Sequence, residues 1–353
     1  MKILLLGGTG AMGCPLAKIL SEKGNDVYIT SRQSNKNDGS IVYLKGDARN
    51  FDFLSKLLVN RWDAIIDFMN YGTFEFECRY RKLLNSTDHY LFLSSARVYA
   101  DSKTPITEKS SRLLDVSNDY TFLSTDEYAL HKAREENMLL ESKCKNYTII
   151  RPYITYSNIR LQLGVLEKEQ WLYRLLQNRT ILFSNDISRH YTTMTYANDV
   201  AYCISMLINN KSAYGEIYNI VTEQSVMWQD ILSIYCNVYK EHFNKEAKVM
   251  MLNNSLRLKD KMGQYQVIYD RYYDRHFDNS KIKAVVGDYK FTDVEYGLSL
   301  CLKEFVSNPI FRKISMDDEK IRNEITNEKL NLSEIYGRRE KVKYVLQSLF
   351  GIK

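Results

Sequence analysis

The sequence is poor in proline and glycine, and its few cysteines lie far apart. With 4 prolines and 15 glycines in 353 residues, collagen-like and linker-dominated architectures are excluded. No CxxC pair or other paired spacing occurs, which argues against a disulfide framework and a metal site and indicates reduced thiols. The six cysteines are Cys14, Cys78, Cys144, Cys203, Cys236 and Cys301.

Long apolar runs and blocks of like charge are also missing. No run reaches the roughly 18 residues that a membrane helix needs, and the first residues lack the apolar segment of a signal peptide. We therefore expect a cytoplasmic protein with no membrane partner. The formal charge is +6, from 49 basic and 43 acidic residues spread along the chain. This pattern does not support a nucleic-acid partner and fits an anionic small substrate more simply.

The first half of the sequence does contain a repeated alternation of strand and helix patterns. Hydrophobic residues make up 44% and charged residues 26%, a balance typical of globular proteins. The alternation predicts an α/β fold, a doubly wound parallel sheet covered by helices on both faces. The predicted strands are residues 2–6, 26–30, 41–45, 64–68, 90–94 and 147–151, and the predicted helices are residues 15–20, 53–59, 74–84 and 126–141.

A glycine-rich turn lies between the first predicted strand and the first predicted helix. It reads GGTGAMG over residues 7–13, which gives the spacing GxxGxxG. Such glycines make a tight turn, let a pyrophosphate approach the backbone and let the helix pack against the strand. The helix N-terminus then binds the pyrophosphate, so the turn predicts a dinucleotide site rather than a tight turn alone. The predicted cofactor-binding residues of the turn are Gly7, Thr9, Gly10, Ala11, Met12 and Gly13.

Domain boundaries follow from where the alternation loosens, at about residue 158. We expect a Rossmann-type dinucleotide-binding domain over residues 1–158, with residues 190–222 returning to it. Residues 159–353 are expected to form a smaller, mostly helical substrate-binding cap and a helical tail. The length agrees with about two domains.

The end of the second predicted strand indicates which dinucleotide binds. An acidic residue there bonds the ribose 2′-hydroxyl of NAD, whereas a basic residue accommodates the 2′-phosphate of NADP. The chain has Ser31 and Arg32 at this point, which favour NADP (NADPH); NAD and a merely solvated strand end are the alternatives. Asp47, after the third strand, is predicted to meet the adenine amino group, although it could instead cap a helix.

A tyrosine and a lysine suited to acid–base chemistry lie four residues apart in the predicted helix 126–141. Tyr128 and Lys132 share a helix face at this spacing. A cation beside a phenol favours the phenolate, so the pair can exchange a proton between an alcohol and a ketone. Tyr99 and Lys103 have the same spacing but a loop-like context. Ser95, at the end of a predicted strand, could hold the substrate oxygen, or only cap the turn.

At these residues the chain resembles the extended short-chain dehydrogenase/reductase family, in its nucleotide-sugar epimerase/dehydratase group. The resemblance covers about residues 1–305. The matching motifs are Gly7-x-x-Gly10-x-x-Gly13, Gly46-Asp47, Ser94-Ser95-Ala96-Arg97-Val98-Tyr99, Tyr128-x-x-x-Lys132, Arg151-Pro152, Asn198-Asp199-Val200-Ala201 and Asp278-Asn279-Ser280-Lys281.

The resemblance implies roles for these residues. Tyr128 would be the acid/base, Lys132 would favour its phenolate and bond the nicotinamide ribose, and Ser95 would orient the sugar oxygen. Ala96 and Arg97 stand where the family's 4,6-dehydratases have Asp-Glu, so elimination of water lacks its catalysts. The substrate would be a nucleotide-diphosphate sugar, and the assembly a homodimer.

At two substrate positions, this chain also differs from the galactose epimerases of the family. Ile154 replaces their asparagine and Thr192 replaces their arginine. Other cations could bind the diphosphate instead, or could be solvated surface charges. The predicted substrate-binding residues are Arg97, Arg189, Arg271 and Arg275.

Three functions follow from the sequence. Ser31 and Arg32 favour an NADPH-dependent reductase acting on a nucleotide-linked 4-keto-6-deoxy sugar. The alternative is an NAD-dependent nucleotide-sugar 4-epimerase, which oxidises and re-reduces one sugar with a retained cofactor. A non-catalytic dinucleotide-sensing or RNA-binding relative is the third, and it is disfavoured because Ser95, Tyr128 and Lys132 are all present.

Overall fold

The computed structural model describes residues 1–329 and, beyond them, residues 334, 338–339, 341–342 and 344–345. Apart from these last positions, the predicted helical tail after residue 329 lies outside the described residues. The α-helices are α1 (Gly13–Glu22), α2 (Phe51–Leu57), α3 (Thr73–Glu77), α4 (Tyr80–Asn85), α5 (Leu113–Val116), α6 (Tyr120–Leu123), α7 (Tyr128–Leu140), α8 (Lys168–Leu176), α9 (Asn185–Ser188), α10 (Ala197–Leu207), α11 (Trp228–Phe243), α12 (Lys261–Gln266), α13 (Ser280–Val286), α14 (Val294–Ser307) and α15 (Met316–Thr326).

Seven of the strands form one parallel sheet in the order β13-β6-β5-β4-β1-β2-β3. This confirms the predicted doubly wound sheet. The order reverses between β1 and β4, and at such a point the carboxyl ends of the strands leave a crevice for a ligand. The strands of the sheet are β1 (Lys2–Leu6), β2 (Asp26–Ser31), β3 (Ile41–Lys45), β4 (Trp62–Asp67), β5 (Thr87–Leu93), β6 (Tyr147–Pro152) and β13 (Glu216–Ile220).

Both faces of the sheet are covered because successive side chains of a strand point to opposite faces. In β1, Ile3 and Leu5 pack against α1, α10 and α13. Leu4 and Leu6 pack on the other face, against α2, α3, α4 and α7. All four side chains are fully buried, as in a parallel sheet between two helical layers.

A third hydrophobic cluster joins α8, α11 and α14 into a cap, with Trp171, Trp228 and Leu298 at its centre. The cap is rich in helices but also contains strand pairs that the sequence pattern did not predict. The remaining strands are β7 (Thr155–Tyr156), β8 (Gln162–Leu163), β9 (Leu166–Glu167), β10 (Ile181–Ser184), β11 (Tyr191–Thr192), β12 (Thr195–Tyr196), β14 (Val226–Met227) and β15 (Val249–Leu252). Among the described residues, no helix has both the length and the apolar character needed to cross a bilayer.

Candidate active site

The glycine turn follows β1 directly and leads into α1. Gly7 has a φ of 70°, in the left-handed region, and its N–H donates to Thr30 Oγ1 at 2.8 Å. A Cβ on Gly13 would overlap the backbone of Gly8, whereas a Cβ on Gly10 would meet no described atom within 4 Å. Gly13 therefore allows the close packing, and Gly10 leaves open space beside the backbone. No side chain of the described residues caps α1, so its N-terminus fits a dinucleotide pyrophosphate.

A cavity of about 330 Å³ lies beside this turn, and we call it the turn cavity. Several predicted cofactor-binding residues line it: Gly7, Thr9, Gly10, Ser31, Arg32 and Asp47. Asn50, rather than Asp47, caps the following helix, where its Oδ1 accepts from the N–H of Phe53 at 3.0 Å. The Asp47 carboxylate accepts from the N–H of Arg49 at 3.0 Å and from no other group of the described residues, so it can still face an adenine ring. The sequence did not indicate the contribution of Arg312, which comes from the segment after α14.

A second cavity, of about 290 Å³, holds the predicted acid–base residues, and we call it the tyrosine cavity. Ser95, Tyr128 and Lys132 all line it, together with Met12 of the glycine turn. Residues 68–70, after β4, line both cavities. A dinucleotide lying along the carboxyl edge of the sheet would therefore extend from the turn cavity into the tyrosine cavity.

Local hydrogen bonding places the tyrosine and the serine. Glu127 caps α7 by accepting from the N–H of Ala129 at 2.7 Å, so the helix begins at Tyr128 and Lys132 follows one turn later. Ser95 Oγ accepts from the N–H of Arg97 at 3.2 Å and keeps its own hydrogen available for a ligand. Tyr99 does not line the cavity. Its hydroxyl lies between Arg151 and Asn219, and burial raises its pKa to about 12.

A carboxylate that the sequence did not draw attention to lies beside the lysine. Lys132 Nζ donates to Glu135 Oε2 at 3.0 Å, and Glu135 Oε1 lies 3.1 Å from His131 Nδ1. Asp67, at the end of β4, is also buried there, and it accepts from Tyr90 Oη at 2.9 Å. Burial raises the pKa of the Asp67 carboxyl to about 6. The spacing of Lys132 and Glu135 on the helix indicates that the two side chains can pair. The sequence around Asp67 does not distinguish it from other residues at the ends of strands.

The four predicted substrate-binding arginines have different surroundings. Arg97 lies over the Tyr128 ring, 5.2 Å from its centroid, and its Nη2 donates to Glu127 at 2.6 Å. Arg97 and Arg271 both line the tyrosine cavity.

Arg275 and Arg189 are not among the lining residues. Arg275 is fully buried and donates to Asp270 and to the carbonyl oxygens of Tyr99 and Ala100, so its role in the structure is to join the cap to the loop after the Ser95 turn. Arg189 is exposed at the end of α9. Arg160, Gln162 and Gln266, which the sequence did not suggest, line the cavity instead.

Comparison with known proteins identifies the family of the chain. A model of the NAD dependent epimerase/dehydratase family matches residues 3–221. The chain belongs to this family. The match contains the glycine turn, Ser95, Tyr128 and Lys132, and the resemblance expected from the sequence is thereby confirmed at the level of the family.

The chain is similar to one curated protein and to several solved structures. The chain is 28% identical over 248 residues to the chloroplast stem-loop binding protein of 41 kDa b of Arabidopsis thaliana, and the match spans 65% of this chain and 61% of that protein. The enzyme WbmH of Bordetella bronchiseptica, solved with NAD+, has a TM-score of 0.67 at 12% identity, covering 88% of this chain and 100% of that one.

The UDP-glucuronic acid 4-epimerase of Bacillus cereus, solved with UDP-glucuronic acid and NAD, has a TM-score of 0.63 at 16% identity. It covers 86% of this chain and 100% of its own. At these identities the two structures show that the fold is shared.

Proposed function

We propose that this protein oxidises and reduces the C4 position of a nucleotide-diphosphate sugar, acting as a 4-epimerase. The observation that carries the proposal is that Ser95, Tyr128 and Lys132 line one cavity, which meets the turn cavity at residues 68–70. The 4-epimerase of Bacillus cereus, with the same fold, supports this choice of reaction over the reductase.

The side chains have the chemistry that the reaction needs. Tyr128 would take the proton of the C4 hydroxyl and return it to the 4-keto oxygen, while Ser95 donates a hydrogen bond to the same oxygen. Lys132 supplies a positive charge one helical turn from the phenol. The dinucleotide held beside the glycine turn would supply the hydride acceptor and donor for C4, and inversion requires that the 4-keto sugar turn its opposite face towards it before reduction. Ala96 is buried and offers no acid for elimination, so dehydration is not expected.

Cations in the tyrosine cavity match an anionic substrate. Arg97, Arg160 and Arg271 reach it from three separate parts of the chain. Ile154, which also lines it, and the fully buried Thr192 cannot supply the contacts of the galactose epimerases. We infer that these arginines bind the diphosphate or a sugar carboxylate in their place.

A panel of UDP-sugars incubated with the protein and NAD tests the proposal. We expect the 4-epimer of at least one sugar by liquid chromatography, with no net formation of NADH. Consumption of NADPH with a nucleotide-linked 4-keto-6-deoxy sugar, and no epimer from any sugar, would support the reductase instead.

The reductase is the second candidate because Ser31 and Arg32 both line the turn cavity, and no carboxylate ends β2. A 2′-phosphate would pair with Arg32 and accept a hydrogen bond from Ser31. Relative affinity for NADPH and NADH decides between these cofactors, and the reductase requires tighter binding of NADPH.

A further inference from the structure

The turn cavity is not formed by the dinucleotide-binding half alone. Arg312 lines it and comes from the segment between α14 and α15, far along the chain from the glycine turn. A residue from this segment can close the open side of a site whose floor is the carboxyl edge of the sheet.

Contacts on either side of Arg312 fix the path of this segment. The Phe311 ring packs against Phe305 and Tyr173, with centroid distances of 5.1 and 5.4 Å. Lys168 Nζ donates to the Ile310 carbonyl at 3.2 Å, and the Arg312 N–H donates to Glu169 Oε1 at 3.2 Å. The backbone is thus held against the start of α8.

Three arginines line the turn cavity, and their side chains differ in their partners. Arg49 is paired with Glu75, at 2.5 Å. Among the described residues, neither Arg32 nor Arg312 has a side-chain hydrogen bond or ion pair. Two uncompensated cations from two parts of the chain therefore border one cavity, an arrangement that favours a polyanionic ligand.

We propose that Arg312 binds a phosphate of the dinucleotide and that residues 310–312 close the adenosine end of the cofactor site. This proposal rests on the proposed dinucleotide-dependent function. It adds a cofactor-binding residue from outside the nucleotide-binding half of the chain. A closure of this kind also suits an epimerase, because its cofactor must stay bound while the oxidised sugar is reduced again.

Binding of NADPH and NADH by calorimetry, in the wild type and in Arg312→Ala, tests the proposal. Losing one charge-assisted contact should weaken binding by about 10- to 100-fold. A loss confined to NADPH assigns Arg312 to the 2′-phosphate, and an equal loss for both assigns it to the pyrophosphate. Lys313→Ala is the matched control, since it removes a neighbouring charge that does not line the cavity. Equal affinities in Arg312→Ala and Lys313→Ala would overturn the proposal.

Limited digestion of the wild type by trypsin gives a second readout that needs no variant. Saturating dinucleotide should slow cleavage after Arg312 and Lys313, compared with cleavage after exposed Lys245 in the segment between α11 and β15. Unchanged cleavage after Arg312 with dinucleotide bound would overturn the proposal. A wild type that binds neither NADPH nor NADH would instead refute the proposed function, so the two failures are distinguishable.

Discussion

Among single residues, Tyr128 has the most specific role in the proposed reaction, as its acid and base. Its position at the first turn of α7, beside Ser95 and one turn before Lys132, follows from the Glu127 cap rather than from the tyrosine itself. Tyr99, the other tyrosine with a lysine four residues later, is bonded within the protein. Under the proposed function, substitutions of the two tyrosines should therefore separate an effect on catalysis from an effect on stability.

Tyr128→Phe should lower turnover by about 10²–10⁴-fold, because it removes the positioned acid and base. The ring remains to pack under Arg97, so folding and dinucleotide binding should survive. Tyr99→Phe should keep near-normal turnover and lose about 1–3 kcal/mol of stability, because Asn219 and Arg151 lose a buried partner. Rates and denaturation curves of both variants check this. An inactive Tyr99→Phe beside an active Tyr128→Phe would place the active site elsewhere.

The raised pKa of Asp67 predicts how the free energy of unfolding depends on pH. Its pKa is raised by burial from 3.8 to about 6, so the folded protein holds this proton more tightly than the unfolded chain does. Its favourable contribution is complete below about pH 4 and is lost as the pH rises through 6, by about 2–3 kcal/mol.

The Asp67→Asn variant has no titrating group at this position. Its free energy of unfolding should therefore fall less than that of the wild type as the pH rises from about 4 through 6. Urea denaturation of both proteins at several pH values checks this. The same pH dependence in the two proteins would mean that Asp67 is not the titrating group.

Among the secondary-structure elements, β1 and α1, with the glycine turn between them, form the proposed dinucleotide-binding unit. Its two later glycines differ in what surrounds them: backbone at Gly13, and open space at Gly10. One substitution should therefore affect folding, and the other should affect binding.

Gly13→Ala should destabilise the protein by about 1–3 kcal/mol, since the new methyl group overlaps the Gly8 backbone. Gly10→Ala should leave stability nearly unchanged and weaken dinucleotide binding, because the methyl group occupies the space that the pyrophosphate needs. Thermal unfolding and calorimetry on both variants separate the two effects. Unimpaired binding by a folded Gly10→Ala would show that the phosphates bind elsewhere.

The elements also show what the sequence could predict. Short apolar runs predicted six of the seven sheet strands, because buried parallel strands are apolar throughout. The seventh, Glu216–Ile220, was missed because its charged and polar residues hide that signal. The predicted helix 74–84 divides into α3 and α4, and periodicity alone does not show such a break.

The candidate site could be predicted as far as local motifs reach. The glycine turn, Ser95, Tyr128 and Lys132 lie in short segments with recognisable chemistry. The contacts of Arg275 and the position of Arg312 depend on how distant segments pack. No spacing along the chain reports such packing.

For the whole molecule, the site exists only where two halves of the chain meet. The sheet supplies the glycine turn and Ser95, while Gln266 and Arg271 come from the cap. A buried ion pair, Arg174 with Glu319 at 2.9 Å, joins α8 to α15 and holds α15 on the cap. Under the proposed function, the substrate, the cofactor and the C-terminal part of the chain would meet at one edge of the sheet.

Oxidation of a nucleotide sugar at this edge through Tyr128 can be followed by the absorbance of reduced nicotinamide. The NAD-loaded protein is mixed with a UDP-sugar that it epimerises, and the absorbance of reduced nicotinamide is followed through a single turnover. We expect a transient rise in the wild type and, in Tyr128→Phe with the same amount of bound NAD, a rise slowed by about 10²–10⁴-fold. No reduced nicotinamide in the wild type, or an equally fast rise in Tyr128→Phe, would contradict this expectation.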